Sequence, residues 1–194
     1  MAEQSVMLPL GTTAPDFALP DLDGAQVTFD DVAGEHGTLV MFLCVHCPFV
    51  KHIQAALARL TAEYAERGIG VVGINANSLE THPQDGPEHM REQVSEVGFT
   101  FPYLRDDSQE VAKAYRAACT PDFYVFDADR TLVYRGQMDD ARPGNDQPVD
   151  GADLRAALDA LLAGEPVPQD QKPSMGCNVK WAPGNEPVYA GGAA

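Results

Sequence analysis

Leu39-Val40-Met41-Phe42-Leu43-Cys44-Val45-His46-Cys47-Pro48 runs from an unbroken apolar pentad directly into two cysteines separated by two residues. A continuous apolar run of this length fits a central strand covered on both faces. Beyond Pro48, the apolar residues Phe49, Val50, Ile53, Leu57, Leu60 and Tyr64 recur at helical spacing, and Gly68 is placed to stop the helix. The cysteines therefore stand between a buried strand and the start of an amphipathic helix. Helix N-terminal amides and the macrodipole favour a thiolate there, and such surroundings bring a cysteine from about 8.5 down to between roughly 3.5 and 7.5. One cysteine can then attack a disulfide, and the other, within one helical turn, can resolve the mixed disulfide. His46 between them would tune the thiolate, and Pro48 suits the first turn of a helix. Which sulfur lies nearer the free amides depends on where that turn begins; the expectation is that Cys44 attacks and Cys47 resolves.

Outward from this stretch the elements alternate. Ala14 to Val32, broken by Pro15, Pro20 and the Asp23-Gly24 turn, predicts a strand–turn–strand leader. Ile69 to Asn75 predicts a second buried strand, and strand–helix–strand implies a right-handed crossover with the two strands parallel. Asn77 to Pro87 is polar and turn-forming, a loop at the strand's C-terminal edge where substrate contacts are common. Helices are predicted at Pro87 to Val97 and Ser108 to Arg116, with an extended piece around Phe101 to Leu104 between them. Two strands follow, Phe123 to Phe126 and Leu132 to Tyr134, joined by the Asp127 to Arg130 turn. A last helix covers Asp150 to Ala163 and ends at Gly164. From Glu165 onward the chain is rich in Pro and Gly without periodicity.

Composition narrows the function classes. The chain has 194 residues, 44% of them hydrophobic and 22% charged, which suits one soluble domain with an appendage. A formal net charge of −16 with no basic stripe argues against nucleic acid as a partner. No apolar stretch approaches the length of a membrane span, so no membrane partner is expected. Met1 to Gly11 lacks the features of a secretion signal, which leads to the expectation of a cytoplasmic protein. Four cysteines in a reducing compartment read as catalytic or metal-binding rather than structural.

The pair could alternatively be inert or half of a zinc site, but zinc needs four ligands, and Cys119 and Cys177 stand alone in the sequence. Redox chemistry is the stronger reading. His36, His52, His82 and His89 are scattered; a copper or zinc site that joins His82 or His89 to the cysteines lacks a recognised ligand spacing. Cys119 reads as a core cysteine or a third redox thiol, and Cys177 as a further thiol that the tail could carry to the site. Trp181 would anchor that tail by burying its ring.

The order of elements, the strand that runs into Cys44-Val45-His46-Cys47-Pro48, and Thr120-Pro121 before a strand together resemble the thioredoxin fold. More narrowly, Cys44 to Lys51, Phe101-Pro102-Tyr103-Leu104, Cys119 to Phe123, Tyr134 to Asp140 and Gly176 to Trp181 resemble a peroxiredoxin-like subgroup of the alkyl hydroperoxide reductase and thiol-specific antioxidant superfamily. The resemblance implies an α/β chain with a central mixed sheet flanked by helices. It divides into a thioredoxin-like domain over residues 1–166 and an irregular tail over 167–194. It further implies a cis proline at Pro121, with Thr120-Pro121 facing the cysteines and offering backbone groups to an extended substrate. True peroxiredoxins surround their peroxidatic cysteine with a threonine, a proline and an arginine. Aligned on Cys47, those places fall to Cys44, Val40 and the neighbourhood of Pro121, leaving only Arg116 or Arg135 as substitute cations. Thioredoxin's own signature is also incomplete, with Leu43 for Trp, Val45-His46 for Gly-Pro and Thr38 for the buried aspartate.

The leading expectation is a thiol–disulfide oxidoreductase of redox homeostasis that needs no cofactor and no metal. Its partners would be a protein or small-molecule disulfide, or a peroxide, together with a cellular thiol reductant; oligomeric state stays open. The alternatives are a weak antioxidant thiol peroxidase and a non-enzymatic redox-sensing or metal-binding module.

Overall fold

In the computed structural model, which describes residues 2–190, the apolar pentad supplies the middle strand of a five-stranded sheet. In chain order the elements are β1 (Ala2–Gln4), β2 (Ala18–Pro20), β3 (Gln26–Thr28), α1 (Phe29–Val32), β4 (Gly37–Phe42), α2 (Pro48–Glu66) and β5 (Ile69–Asn75). They continue with α3 (Pro87–Val97), β6 (Tyr103–Arg105), α4 (Glu110–Ala114), β7 (Cys119–Thr120), β8 (Asp122–Asp127), β9 (Leu132–Gly136), α5 (Ala152–Ala163) and β10 (Met175–Asn178). The main sheet has the order β6-β5-β4-β8-β9. β4 and β5 are parallel, as are β5 and β6, whereas β8 and β9 join antiparallel.

Both faces of β4 are covered, which explains its unbroken apolar run. Leu39, Met41 and Leu43 face one core with Val50, Ile53 and Leu57 of α2 and Leu154 and Leu158 of α5. Val40 and Phe42 face the other, with Phe29, Tyr115 and Tyr124. Each such side chain, fully buried, contributes on the order of 1.5–3 kcal/mol of hydrophobic free energy. This is the thioredoxin-like fold the sequence implies, with helices on both faces of a mixed sheet.

The leader forms a hairpin of β2 and β3, whose turn is held by Asp21 Oδ1 accepting from the amides of Asp23 and Ala25, both at 2.9 Å. Phe29 to Val32, expected within the leader's extended pattern, is instead the short helix α1. Thr28 and Asp31 cap it reciprocally. α2 stops where Gly68 takes φ +86°, a left-handed conformation that favours glycine.

The tail departs most from expectation. Residues 167–194 are not wholly irregular, because β10 is the middle strand of a second sheet of order β1-β10-β7. Val179 and Trp181 complete the second core, so the described part of the tail, through residue 190, packs as one body with the rest. The four residues of β10 are held by non-local backbone pairing and carry no alternating pattern for a sequence reading to detect. Residues 191–194 of that expected tail lie outside the described residues. Among the described residues no helix is long and apolar enough to cross a membrane.

Candidate functional site

Two strand ends and a helix start meet at the cysteines. Cys44 follows the end of β4, and Cys47 is the N-cap of α2, with Pro48 at its first position. Both are fully buried. Across from them lies Thr120, joined to Pro121 by a cis peptide bond. Thr120 touches both sulfurs: its Oγ1 is 3.1 Å from Cys44 Sγ, and its carbonyl oxygen is 3.2 Å from Cys47 Sγ, which donates to it only when protonated.

The surroundings split the pair electrostatically. Cys47 is lowered to about 5, chiefly because the Cys44 thiol donates to it. Burial opposes this, while the thiol of Cys177 and the amides of Val50 and Cys177 add to it. The Val50 amide belongs to the first turn of α2, and it favours the thiolate without making a full capping bond. Cys44 is pushed well up, first by its bond to Cys47, then by burial and by the carboxylate of Asp85. These shifts favour the charge on Cys47 rather than on Cys44, the expected attacking thiol, with the bond from Cys44 as the first cause and the Val50 amide at the helix start as a lesser one.

Asp85 was not singled out in the sequence, although it lies in the polar loop after β5. It is completely buried. Its Oδ1 accepts from the amides of Val45 at 2.9 Å and His46 at 3.2 Å, and its Oδ2 meets His46 Nδ1 at 2.5 Å and Asn77 Nδ2 at 2.9 Å. Asn75 Nδ2 and the Arg105 guanidinium bind its backbone carbonyl, and Arg105 also reaches the carbonyl of Asn77. Asp85 thus pins the two residues between the cysteines. Only its location in a turn-rich loop hinted at this; the contact spans 40 residues of chain.

The His46 ring stacks on His82 with centroids 5.1 Å apart. Burial, reinforced by His46, lowers the pKa of His82. Cys44, His46 and Asp85 offer ligand atoms within 4.8 Å of one another, the only such group among the described residues. The Asp85 oxygens are already engaged by backbone amides, His46 and Asn77, so this carboxylate reads as a structural clamp.

Cys119 is wholly buried with its thiol toward the carbonyls of Pro121 and Ser174, at 3.7 and 3.9 Å, and burial raises its pKa strongly. Cys177, half-buried on β10, pairs in register with Thr120 and packs against the core cluster containing both site cysteines. The candidate peroxide-polarising cations are engaged elsewhere. Arg135 binds the Leu8 carbonyl and Gln171, and Arg116 lies over the Tyr189 ring. Trp181 is buried, edge-on to Tyr189 at 6.3 Å.

A thioredoxin-like sheet with paired thiols at a helix N-terminus defines a redox class of protein. Residues 10–135 match the AhpC/TSA family, and the chain belongs to that family. Among curated relatives it is similar to thiol-disulfide oxidoreductase ResA of Bacillus thuringiensis (strain Al Hakam), 22% identical over 65% of this chain and 68% of the relative. ResA of Halalkalibacterium halodurans is 29% identical over 54% of this chain and 55% of that one. Two crystal structures are much nearer. An uncharacterized conserved protein from Geobacillus kaustophilus is 55% identical with a TM-score of 0.92, covering 94% of this chain and 97% of its own. A hypothetical protein from Sinorhizobium meliloti 1021 is 50% identical with a TM-score of 0.91, covering 93% and 99%.

Proposed function

We propose that this protein is a thiol–disulfide oxidoreductase that cycles between a Cys44/Cys47 dithiol and the corresponding disulfide. The observation that carries the reading is the placement of two adjacent buried sulfurs at the start of α2, both in contact with Thr120, in surroundings that favour the charge on Cys47. The ResA relatives, named as thiol-disulfide oxidoreductases, support the same class.

In this reading the Cys47 thiolate attacks one sulfur of an external disulfide, the S–S bond breaks, and the departing thiolate takes a proton. Cys44 then gives up its proton and attacks Cys47 Sγ, expelling the second external thiolate and closing the Cys44–Cys47 disulfide. Two protein thiols are oxidised and one external disulfide is reduced. Thr120 holds both sulfurs in place, and His46, fixed by Asp85, keeps the intervening turn rigid. The substrates are disulfides of proteins or small molecules, and a cellular thiol reductant restores the dithiol in a reducing, cytoplasmic setting. A thiol peroxidase is less well supported, since Arg116 and Arg135 are both committed to other contacts.

Redox titration of the protein against glutathione, with mass-spectrometric mapping of cysteine pairs, tests the proposal. A Cys44–Cys47 disulfide with a single midpoint is expected, and Cys47→Ser should abolish disulfide reduction. Undiminished turnover in that variant would overturn it.

A further inference from the structure

The site is already covered by a strand of its own chain. β10 pairs antiparallel with β7, placing Cys177 opposite Thr120 and Asn178 opposite Cys119. It occupies the edge beside the cis proline that an extended partner would need for backbone pairing with Thr120. The approach is tight: a Cβ on Gly176 would lie 2.0 Å from the Thr120 carbonyl oxygen and 3.1 Å from the Pro121 nitrogen, so no residue but glycine fits there. The strand is tied down on both flanks. The Ser174 hydroxyl donates to the Gly136 carbonyl, the Ser5 amide donates to the Ser174 carbonyl at 2.9 Å, and Val179 N–H reaches the Ala118 carbonyl at 2.9 Å. From this position both the thiol and the backbone amide of Cys177 act on the Cys47 sulfur.

We propose that Cys177, carried by β10 across the site, is a third redox thiol whose partner is Cys47. The proposal rests on the oxidoreductase reading and adds a step to it. After Cys47 has formed a mixed disulfide with an external partner, Cys177 gives its proton to solvent and attacks Cys47 Sγ. The external thiolate leaves and is protonated, and a Cys47–Cys177 disulfide forms. Cys44 then attacks Cys47 Sγ, Cys177 departs as a thiolate and regains a proton, and the Cys44–Cys47 disulfide remains. The electron count is unchanged: one external disulfide reduced, two protein thiols oxidised. Cys177 is held strongly protonated in the resting dithiol, by burial first and then by its donation to Cys47. The second of these causes disappears once Cys47 carries a partner, so Cys177 becomes a better nucleophile at the step that uses it.

The experiment compares Cys44→Ser with Cys44→Ser/Cys177→Ser, both exposed to oxidised glutathione, quenched by alkylation and mapped by mass spectrometry. Cys44→Ser is expected to yield the Cys47–Cys177 disulfide. Its glutathione adduct at Cys47 should be roughly tenfold lower than in the double variant, as for an intramolecular thiol at about millimolar effective concentration. Equal adduct in the two variants, with Cys177 recovered as a free thiol, would overturn the proposal; circular dichroism of both confirms that folded chains are being compared. Failure of the unsubstituted chain to form a Cys44–Cys47 pair would count against the oxidoreductase reading, a separate result from this one.

Discussion

Replacing Cys44 with Ala removes the donor that does most to hold Cys47 as a thiolate. Cys47 is lowered from an ordinary thiol value of about 9 to about 5, and the bond from Cys44 is the largest cause. A hydrogen bond to a charged acceptor is worth about 1.5–3 kcal/mol, which at about 1.4 kcal/mol per pH unit raises the midpoint by about 1–2 units, to roughly 6–7. Thiolate absorbance in the ultraviolet, followed as a function of pH in the reduced protein, reads this directly, because Cys44, Cys119 and Cys177 are all raised and stay protonated through the acid range. The same shift appears in stability. Between the folded and unfolded values only the unfolded chain holds the proton, so the reduced protein gains stability with rising pH across roughly 5 to 9 and loses it on acidification through 5. At pH 7 this contributes about 3 kcal/mol to the reduced form, equivalent to a disulfide about 60 mV more oxidising than a pair with ordinary thiols. The reasoning fails if Cys47 of the unsubstituted protein titrates in the ordinary thiol range, or if the alanine variant leaves the midpoint near 5.

Three further perturbations follow from the geometry. Gly176→Val must push β10 off the Thr120 carbonyl; a loss of about 2–4 kcal/mol in denaturant unfolding is expected, and an unchanged midpoint would show that the strand is not packed as described. Asp122 is fully buried beside the cis proline and raised to about 7 by that burial, so the folded chain holds its proton between about 4 and 7 while the unfolded chain does not. Stability falls by up to roughly 4 kcal/mol as pH rises through that window, and Asp122→Asn should gain on the parent protein at pH 8 relative to pH 4; thermal melts at both pH values that show a constant difference would contradict this. Asp85→Ala strands the amides of Val45 and His46 and should cost about 3 kcal/mol or more by chemical denaturation, with Asp85→Asn recovering part; equal losses in the two variants would remove the hydrogen-bonding explanation.

What could be read from the residues was whatever is encoded locally. Leu39 to Leu43 alternate between two cores and so look apolar throughout, and Phe49 to Tyr64 repeat at helical spacing. Ile69–Asn75 is a strand over its expected length, and Pro87–Val97 a helix over its own. The paired cysteines were visible for the same reason, since strand, thiols and helix are contiguous. The missed features are non-local or turn on a single residue. β10 is stable only because β1 and β7 lie on either side of it. Asp85 clamps residues 40 positions earlier in the chain. The charge is favoured on Cys47 rather than Cys44 chiefly because the Cys44 thiol donates to it, a side-chain orientation that residue spacing does not encode. Helix α1 did carry a local signal, Thr28 and Asp31 at capping-box spacing, hidden by the β-branched residues on either side.

Thr120 explains why one cysteine rather than two can serve as the common partner in this site. Its side chain meets Cys44, its carbonyl meets Cys47, and its strand register sets Cys177 opposite it. Cys47 lies where these arrangements converge, receiving hydrogen bonds from the thiols on both sides. A sulfur can hold only one disulfide, so in the proposed cycle Cys44 and Cys177 compete for Cys47, both raised in pKa while Cys47 is lowered. When Cys47 is consumed in a bond to either neighbour or to an outside partner, its charge is lost and the remaining thiol is released from that constraint. In the proposed cycle the order of exchange therefore follows the charge on Cys47, while Thr120 borders both of its competitors.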